Sequence, residues 1–167
     1  MGKNFSCNNS GKRNKNDFYQ TPYSLTRLFL NTGIVPKEAT ILEPACGEGA
    51  ISHVLNEYHY SHTAYDIEYD FLTETQKHDW IITNPPYSKA LEFILKAKEV
   101  SDNFAFLLPL SYLHGVERFN KIYSDEQYPL NSVYIFTRYP LLEQTVREDG
   151  QHKTGMMVYA WFVFKKR

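Results

Sequence analysis

The sequence predicts an α/β fold with a mostly parallel β-sheet. Short apolar runs typical of strands alternate along the chain with segments whose apolar residues recur at helical spacing. This alternation favours strand–helix–strand units, in which the strands lie parallel. A length of 167 residues is enough for one core and too short for two comfortable domains. We therefore expect one α/β domain that binds ligands at the carboxyl ends of its strands.

The composition excludes several classes of protein. With 43% hydrophobic and 16% aromatic residues, it is typical of a packed globule and not of a disordered chain. No apolar stretch approaches the roughly 18 residues of a membrane helix, and no secretory signal is evident, so a cytoplasmic location is expected. The cysteines and histidines lack zinc-site spacing, so we expect no metal. A net charge of -1 predicts neither attraction to nor repulsion from nucleic acid.

The first 16 residues differ in composition from the rest of the chain. They contain four basic residues, no acid and few apolar side chains, which predicts a flexible basic tail. The tail is interpreted either as a solvated terminus or as an arm that contacts phosphate groups. Residues 17–167 are then expected to form a single domain.

Ordered structure is expected to begin at Asp17, and the first helix follows shortly after it. Thr21 is its predicted N-cap, Pro22 lies in its first turn and Gly33 ends it. Apolar patterns predict the following further elements: strands at residues 40–42, 62–67, 80–83, 104–108, 132–136 and 156–164, and helices over 51–58, around 91–95 and near 112–122.

A turn of seven residues, 43–49, joins the first strand to the next helix. Gly47 and Gly49 would let the backbone approach a ligand closely, although the same spacing is common in ordinary tight turns. Asp66 stands at the end of the next predicted strand and could accept hydrogen bonds from both ribose hydroxyls of a nucleoside. Ser52 stands where a dinucleotide fingerprint has its third glycine. The sequence therefore favours a nucleoside cofactor without a pyrophosphate.

The motif Asn84-Pro85-Pro86-Tyr87 follows the apolar strand at residues 80–83. The prolines keep the backbone extended, so the Pro85 carbonyl and the Asn84 side-chain oxygen can both accept hydrogen bonds. Two such acceptors suit the two hydrogens of one amino group. The Tyr87 ring could stack on a planar base, a contact worth about 1 to 3 kcal/mol. The alternative is a diproline turn that only caps the following helix.

In the order of these motifs the chain resembles S-adenosylmethionine-dependent DNA adenine-N6 methyltransferases, especially their small bacteriophage-type members. The resemblance covers about residues 18–164. It implies a Rossmann-like class I methyltransferase fold, with a mostly parallel seven-stranded sheet and helices on both faces. It also implies S-adenosylmethionine as the cofactor and the N6 amino group of a flipped adenine in DNA as the methyl acceptor.

The resemblance also implies roles for individual residues. Asp70 would bind the amino group of the cofactor's adenine, and the Phe71 ring would pack on that base, although Asp-Phe also occurs at ordinary surface turns. The implied catalytic residues are Asn84, Pro85, Pro86 and Tyr87. The implied cofactor contacts are Tyr19, Thr21, Pro22, Glu43, Ala45, Cys46, Gly47, Gly49, Asp66, Ile67, Asp70, Phe71 and Asn84.

One departure from the family concerns target recognition. Larger members carry a separate recognition domain, whereas here only residues 112–131 and the long connection 139–157 could serve, and that connection could equally be only flexible. A partner protein or a second copy of the chain could supply DNA affinity. The candidate nucleic-acid contacts are Lys89, Arg138, Arg147 and Lys153, although exposed cations are usually only solvated.

Three other functions are compatible with the motifs. Asn-Pro-Pro-Tyr also occurs in methyltransferases that modify RNA guanine or protein glutamine, which usually carry an extra domain before the catalytic one. Cytosine-N4 enzymes more often have serine at the first motif position, so Asn84 favours adenine. A non-catalytic nucleic-acid-binding module with the same fold is the third alternative.

Overall fold

The computed structural model describes residues 20–136 and 158–167, and a mixed β-sheet of six strands forms their centre. The strands lie side by side in the order β2-β1-β3-β4-β6-β5. The first four of these run parallel, and β6 is antiparallel to both of its neighbours. In chain order the strands are β1 (Ile41–Glu43), β2 (His62–Ala64), β3 (Trp80–Thr83), β4 (Asn103–Pro109), β5 (Leu130–Ile135) and β6 (Tyr159–Lys165).

Helices cover both faces of the sheet, as predicted. The longer helices are α1 (Tyr23–Leu30), α2 (Ala50–Glu57) and α3 (Ala90–Val100). The apolar sides of α1 and α2 share one core with alternate residues of the strands, and α3 packs with the other residues on the opposite face. Within β4, Phe104 and Phe106 belong to the α3 core and Ala105 to the other. This strand is a continuous apolar run because both of its faces are buried.

The prediction of seven strands is wrong for the described residues, which form six. The seventh strand was implied by the family resemblance alone, and the sequence contains only six apolar runs. The polar stretch after β2 forms bends and a short 3₁₀ turn, Phe71–Thr73, because Asp70 accepts a hydrogen bond from the Leu72 amide at 3.0 Å. β2 is also shorter than predicted, so Asp66 lies two residues beyond its end.

The segment predicted as a helix near 112–122 is broken into three short turns. A 3₁₀ turn (Leu110–Leu113) precedes one turn of helix, α4 (Val116–Arg118), and a π-helical turn (Phe119–Tyr123). Gly115 separates the first two with a φ of 123°, which helical backbone does not allow. The apolar spacing was therefore a poor guide here.

The N-terminal cap of α1 also differs from the prediction. Pro22 occupies the N-cap position, with an extended ψ of 131°. The Thr21 hydroxyl makes no cap and instead accepts a hydrogen bond from Asn84, 63 residues further along the chain. The threonine therefore belongs to the site described below.

The sheet places the predicted motifs on one edge. Since β1, β2 and β3 are parallel, their carboxyl ends meet there, where Glu43 ends β1 and Asn84 follows β3. The chain passes from β1 to a neighbour on one side and then returns to the other side with β3. Such a reversal opens a crevice between the loops, which is the usual ligand site in open α/β sheets.

Candidate active site

Two adjoining cavities form a cleft along this edge of the sheet. The first, of about 270 Å³, lies between the 43–49 turn and the 84–89 segment, and the second, also about 270 Å³, extends beside residues 66–71. Both are lined by Ala45, Ile67, Pro86 and Lys89, so the two cavities are neighbours. We call the two together the cleft.

The 43–49 turn has the backbone that its glycines allow. Gly47 and Gly49 have φ values of 55° and 82°, in the left-handed region that other residues rarely adopt. Gly49 is the N-cap residue of α2, and its amide donates to the Cys46 carbonyl at 2.8 Å. The Cys46 amide donates to the Tyr65 carbonyl at 3.0 Å and so ties the turn to the chain after β2. Backbone and small side chains, including Ala45 and Cys46, therefore line the first cavity.

Glu43 is a buried carboxyl group at the floor of the first cavity, with 1% of its surface exposed. The Ser52 hydroxyl donates a hydrogen bond to Glu43 Oε2. Burial raises the pKa of Glu43 to about 8, against the lowering effect of the Ser52 hydrogen bond and with a further rise from the charge of Asp66. Ser52, which stands where a dinucleotide fingerprint has its third glycine, is thus the hydrogen-bond partner of Glu43.

Among the residues that the structure describes, most of the ionisable side chains in the cleft are acidic. Its lining includes four carboxyl groups and a single cation, and they are Glu43, Glu48, Asp66, Asp70 and Lys89. Asp66 is 6% exposed and faces the second cavity. A buried charge is stabilised by an opposite charge on its ligand, so this lining suits a ligand that carries positive charge and hydroxyl groups.

Both ends of the Asn84 amide are hydrogen-bonded. Its Nδ2 donates to Thr21 Oγ1 at 3.1 Å, and its Oδ1 accepts from the Tyr87 hydroxyl at 3.0 Å. Tyr87 opens a short 3₁₀ turn that Pro86 caps. These bonds place the amide at the wall of the first cavity, beside Pro85 and Pro86.

The Tyr87 ring has a partner that the sequence did not reveal. It stacks on Tyr159, the first residue of β6, with ring centroids 5.4 Å apart and planes 26° from parallel. Tyr159 is 8% exposed, so one face of the Tyr87 ring packs against a buried side chain. No local signal could have identified this contact, because it joins residues 72 positions apart.

Most of the predicted cofactor residues line the cleft, and the second cavity holds Ile67, Asp70 and Phe71. Phe71 is 1% exposed and packs against Phe93 with ring centroids 4.9 Å apart, so most of its ring belongs to the core. Two predicted cofactor residues, Pro22 and Gly49, line neither cavity. Tyr19, Arg138, Arg147 and Lys153 lie outside the described residues, as do the predicted basic tail and the connection 139–157.

Other cleft residues were missed by the sequence analysis. They lie within two residues of predicted positions in the chain, apart from one on α3, and they are Gln20, Pro44, Glu48, Ala50, Ile51, Tyr69, Ser88 and Phe93. Among residues 20–136 and 158–167, no three metal-binding side chains come together in a group that could hold a metal ion. Within the same ranges no helix has the length and apolar character needed to span a membrane.

No family model and no curated protein matches this sequence. Solved structures do match. A candidate class I S-adenosylmethionine-dependent methyltransferase from Listeria monocytogenes superimposes with a TM-score of 0.64 at 12% identity, over 94% of this chain and 63% of its own. The chain has a methyltransferase-like α/β fold.

Two further structures support the same fold. A candidate RNA methyltransferase from Pyrococcus horikoshii matches with a TM-score of 0.58 at 16% identity, over 86% of this chain and 81% of its own. The modification subunit of a candidate type I restriction enzyme from Vibrio vulnificus YJ016 matches with a TM-score of 0.62 at 14% identity, over 91% of this chain and 45% of its own. The chain thus spans less than half of the Vibrio subunit.

Proposed function

We propose that this chain transfers a methyl group from S-adenosylmethionine to the N6 amino group of adenine in DNA. The proposal rests on one observation: Asn84 and Pro85 line the same cavity as the glycine turn and Glu43. An amide and a carbonyl, both able to accept hydrogen bonds from an amino group, therefore adjoin a site whose charge suits a cationic nucleoside. The methyltransferase-like fold is in accord with this chemistry.

The cleft residues fit the chemical groups of S-adenosylmethionine. This cofactor carries an ammonium group, a sulfonium group and two ribose hydroxyls, and the sulfonium supplies an electrophilic methyl group. We assign the ammonium group to the first cavity near Glu43 and the ribose hydroxyls to Asp66, each a buried carboxyl group. Ile67 supplies exposed apolar surface for the adenine, and Phe71, whose ring belongs mostly to the core, lines the second cavity beside it.

Side-chain and backbone groups of the 84–87 motif would orient the methyl acceptor. The lone pair of an adenine amino group is delocalised into the ring, so the group is a poor nucleophile in its planar form. Hydrogen bonds from its two hydrogens to Asn84 Oδ1 and to the Pro85 carbonyl favour a more pyramidal nitrogen with a directed lone pair. Such positioning supplies up to about 7 to 11 kcal/mol of the barrier reduction in favourable cases.

Tyr87 would hold the base. A target base must leave the duplex stack, which costs a few kcal/mol, and stacking on an aromatic ring returns about 1 to 3 kcal/mol. Tyr159 keeps the Tyr87 ring in one plane. An amide is not a base, so we assign the proton released from the amino group to water.

RNA is the second candidate substrate. The structure from Pyrococcus horikoshii carries the name of an RNA methyltransferase, and this chain aligns with 81% of it.

The residues 20–136 and 158–167 include no separate recognition domain. We therefore propose a single catalytic domain, with target recognition by the segment after β4, the connection 139–157 or a partner.

The test is to incubate the protein with S-adenosylmethionine carrying an isotopically labelled methyl group and with DNA, RNA or protein. We expect labelled N6-methyladenine in DNA by nucleoside mass spectrometry. Labelled RNA or glutamine would replace the proposed substrate, and no label in any of the three would contradict the proposed activity.

Asn84→Ala removes the side-chain amide that is proposed to accept a hydrogen bond from the substrate. We expect it to abolish methyl transfer and to leave cofactor affinity within a few fold, because the side chain contacts the acceptor. Asn56→Ala, at an exposed position of α2, is the control and should retain full activity. Near-normal turnover by Asn84→Ala would remove Asn84 from the mechanism.

A further inference from the structure

We infer that Thr21 is a positioning residue that restricts rotation of the Asn84 amide. The inference deepens the proposed function and rests on it where it concerns turnover. Thr21 precedes α1, and its side chain is 5% exposed. Its Oγ1 accepts the hydrogen bond from Asn84 Nδ2 at 3.1 Å, across 63 residues of sequence.

The orientation of an asparagine amide matters because its two ends have opposite hydrogen-bonding character. The oxygen accepts hydrogen bonds and the nitrogen donates them. The terminal torsion of asparagine is soft, so the backbone alone does not select one orientation. If the amide turned over, its NH₂ would face the hydrogens of the substrate's amino group and could not accept them. A hydrogen bond from Nδ2 therefore restricts this rotation and leaves Oδ1 as the acceptor end of the amide in the observed arrangement.

Thr21 accepts that hydrogen bond from a separate part of the fold. The Tyr87 hydroxyl donates to Asn84 Oδ1 at 3.0 Å, and an amide oxygen accepts two hydrogen bonds. With one bond alone the amide could still rotate about its soft terminal torsion. With the Thr21 bond at the nitrogen end and the Tyr87 bond at the oxygen end, both ends of the amide are held and its plane is fixed.

Thr26, on the helix α1 that follows Thr21, provides a matched control. It is fully buried, and its Oγ1 makes no hydrogen bond to the described residues. Thr21→Val and Thr26→Val both replace a buried hydroxyl by a methyl group of similar volume. Only the first removes a bond to Asn84, so the pair separates the effect of positioning from that of a buried threonine.

Steady-state kinetics on DNA tests the role in turnover. For Thr21→Val we expect kcat to fall about 10-fold, as for the removal of one hydrogen bond that aligns a reacting group, with KM and cofactor Kd within about threefold. Thr21→Ser, which keeps the hydroxyl, should recover kcat to within about twofold of wild type, and Thr26→Val should match wild type. An unchanged kcat in Thr21→Val, or a defect that appears only as weaker cofactor binding, would overturn the inference.

NMR of the side-chain amide tests the same bond without turnover. The NH₂ signals of Asn84 can be identified in ¹⁵N-labelled protein by their disappearance in Asn84→Ala. We expect Thr21→Val to shift these signals and to speed their exchange with water, and Thr26→Val to leave them unchanged. Unmoved Asn84 signals in Thr21→Val would overturn the inference. If wild-type protein methylates nothing, the proposed function fails, while this measurement still decides whether Thr21 holds the amide.

Discussion

Burial governs the chemistry of Glu43. Removal from water raises its pKa to about 8, although the Ser52 hydroxyl donates to the carboxylate and opposes that rise. The negative charge of Asp66 raises the pKa further. A cation bound next to Glu43 would favour its ionised form. The residue is therefore poised to carry a proton in the ligand-free protein and to exchange it when a cationic ligand binds.

Stability is expected to depend on pH through Glu43. The folded protein keeps this proton up to about pH 8, whereas the unfolded chain releases it near its ordinary pKa of 4.5. Between these values the folded state binds more protons, so the free energy of unfolding from this group falls as pH rises. We expect Glu43→Gln to flatten this fall in urea unfolding measured from about pH 5 to about pH 8.

The exposed Glu48, in the same turn, provides the control for that measurement. Glu48→Gln should keep the wild-type dependence of unfolding free energy on pH. If Glu43→Gln also kept the wild-type slope, the raised pKa of Glu43 would be refuted.

Asp66 is expected to contribute to cofactor affinity. Hydrogen bonds between hydroxyl groups and a carboxylate contribute about 1.5 to 3 kcal/mol, so Asp66→Ala should weaken S-adenosylmethionine binding about 10- to 100-fold by calorimetry. Glu68→Ala, at an exposed position two residues away, should bind normally. An unchanged dissociation constant for Asp66→Ala would argue against the ribose contact.

The segment after β4 is the element whose structure departs most from its sequence pattern. Its turns expose three apolar side chains, Leu113, Val116 and Phe119, which are 44%, 80% and 59% exposed. The carboxyl end of β4 lies at the same edge of the sheet as the cleft, because β3 and β4 are parallel. Exposed apolar side chains next to a ligand site are typical of interaction surfaces.

Under the proposed function, this segment would contact bases near the target. Replacing both Val116 and Phe119 by serine should lower DNA affinity about 10-fold in fluorescence anisotropy, with cofactor affinity unchanged, since serine cannot pack against bases as these apolar side chains do. Leu28→Ser is the control, because it replaces a 55% exposed leucine on α1, outside this segment, by the same polar residue. Equal DNA affinity in the double variant and wild type would exclude the segment from DNA binding.

Under the proposed function, the charge distribution along the sequence would affect binding to DNA. Residues 1–16 lie outside the described residues, and they carry four basic side chains and no acidic one. If these side chains neutralise phosphates, deletion of the tail should reduce the slope of log affinity against log salt by about 0.9 for each phosphate that is no longer neutralised. A full-length variant with Lys3, Lys12, Arg13 and Lys15 replaced by glutamine separates charge from length. Identical slopes in all three proteins would leave the tail as a solvated terminus.

The order of the strands along the chain and the edge of the sheet that carries the cleft could be predicted from the sequence alone. Apolar runs and helical spacing report burial locally, and the strand at 80–83 was located correctly because both of its faces are buried. The turn of Gly47 and Gly49 was predictable for a similar reason, since only glycine adopts its backbone angles at low cost. The number of strands was not predictable from family resemblance, and the spacing near 112–122 suggested a helix that Gly115 interrupts.

The tertiary structure alone decided which distant side chains meet. The anchor of Asn84 on Thr21 spans 63 residues, and the stack of Tyr87 on Tyr159 joins the segment after β3 to β6, although these two strands are not neighbours in the sheet. The pKa of Glu43 also depends on burial and on Asp66, neither of which local sequence records. Sequence patterns report what each segment needs in order to be buried. Contacts between segments depend on how the helices and strands pack, and that is a property of the folded chain.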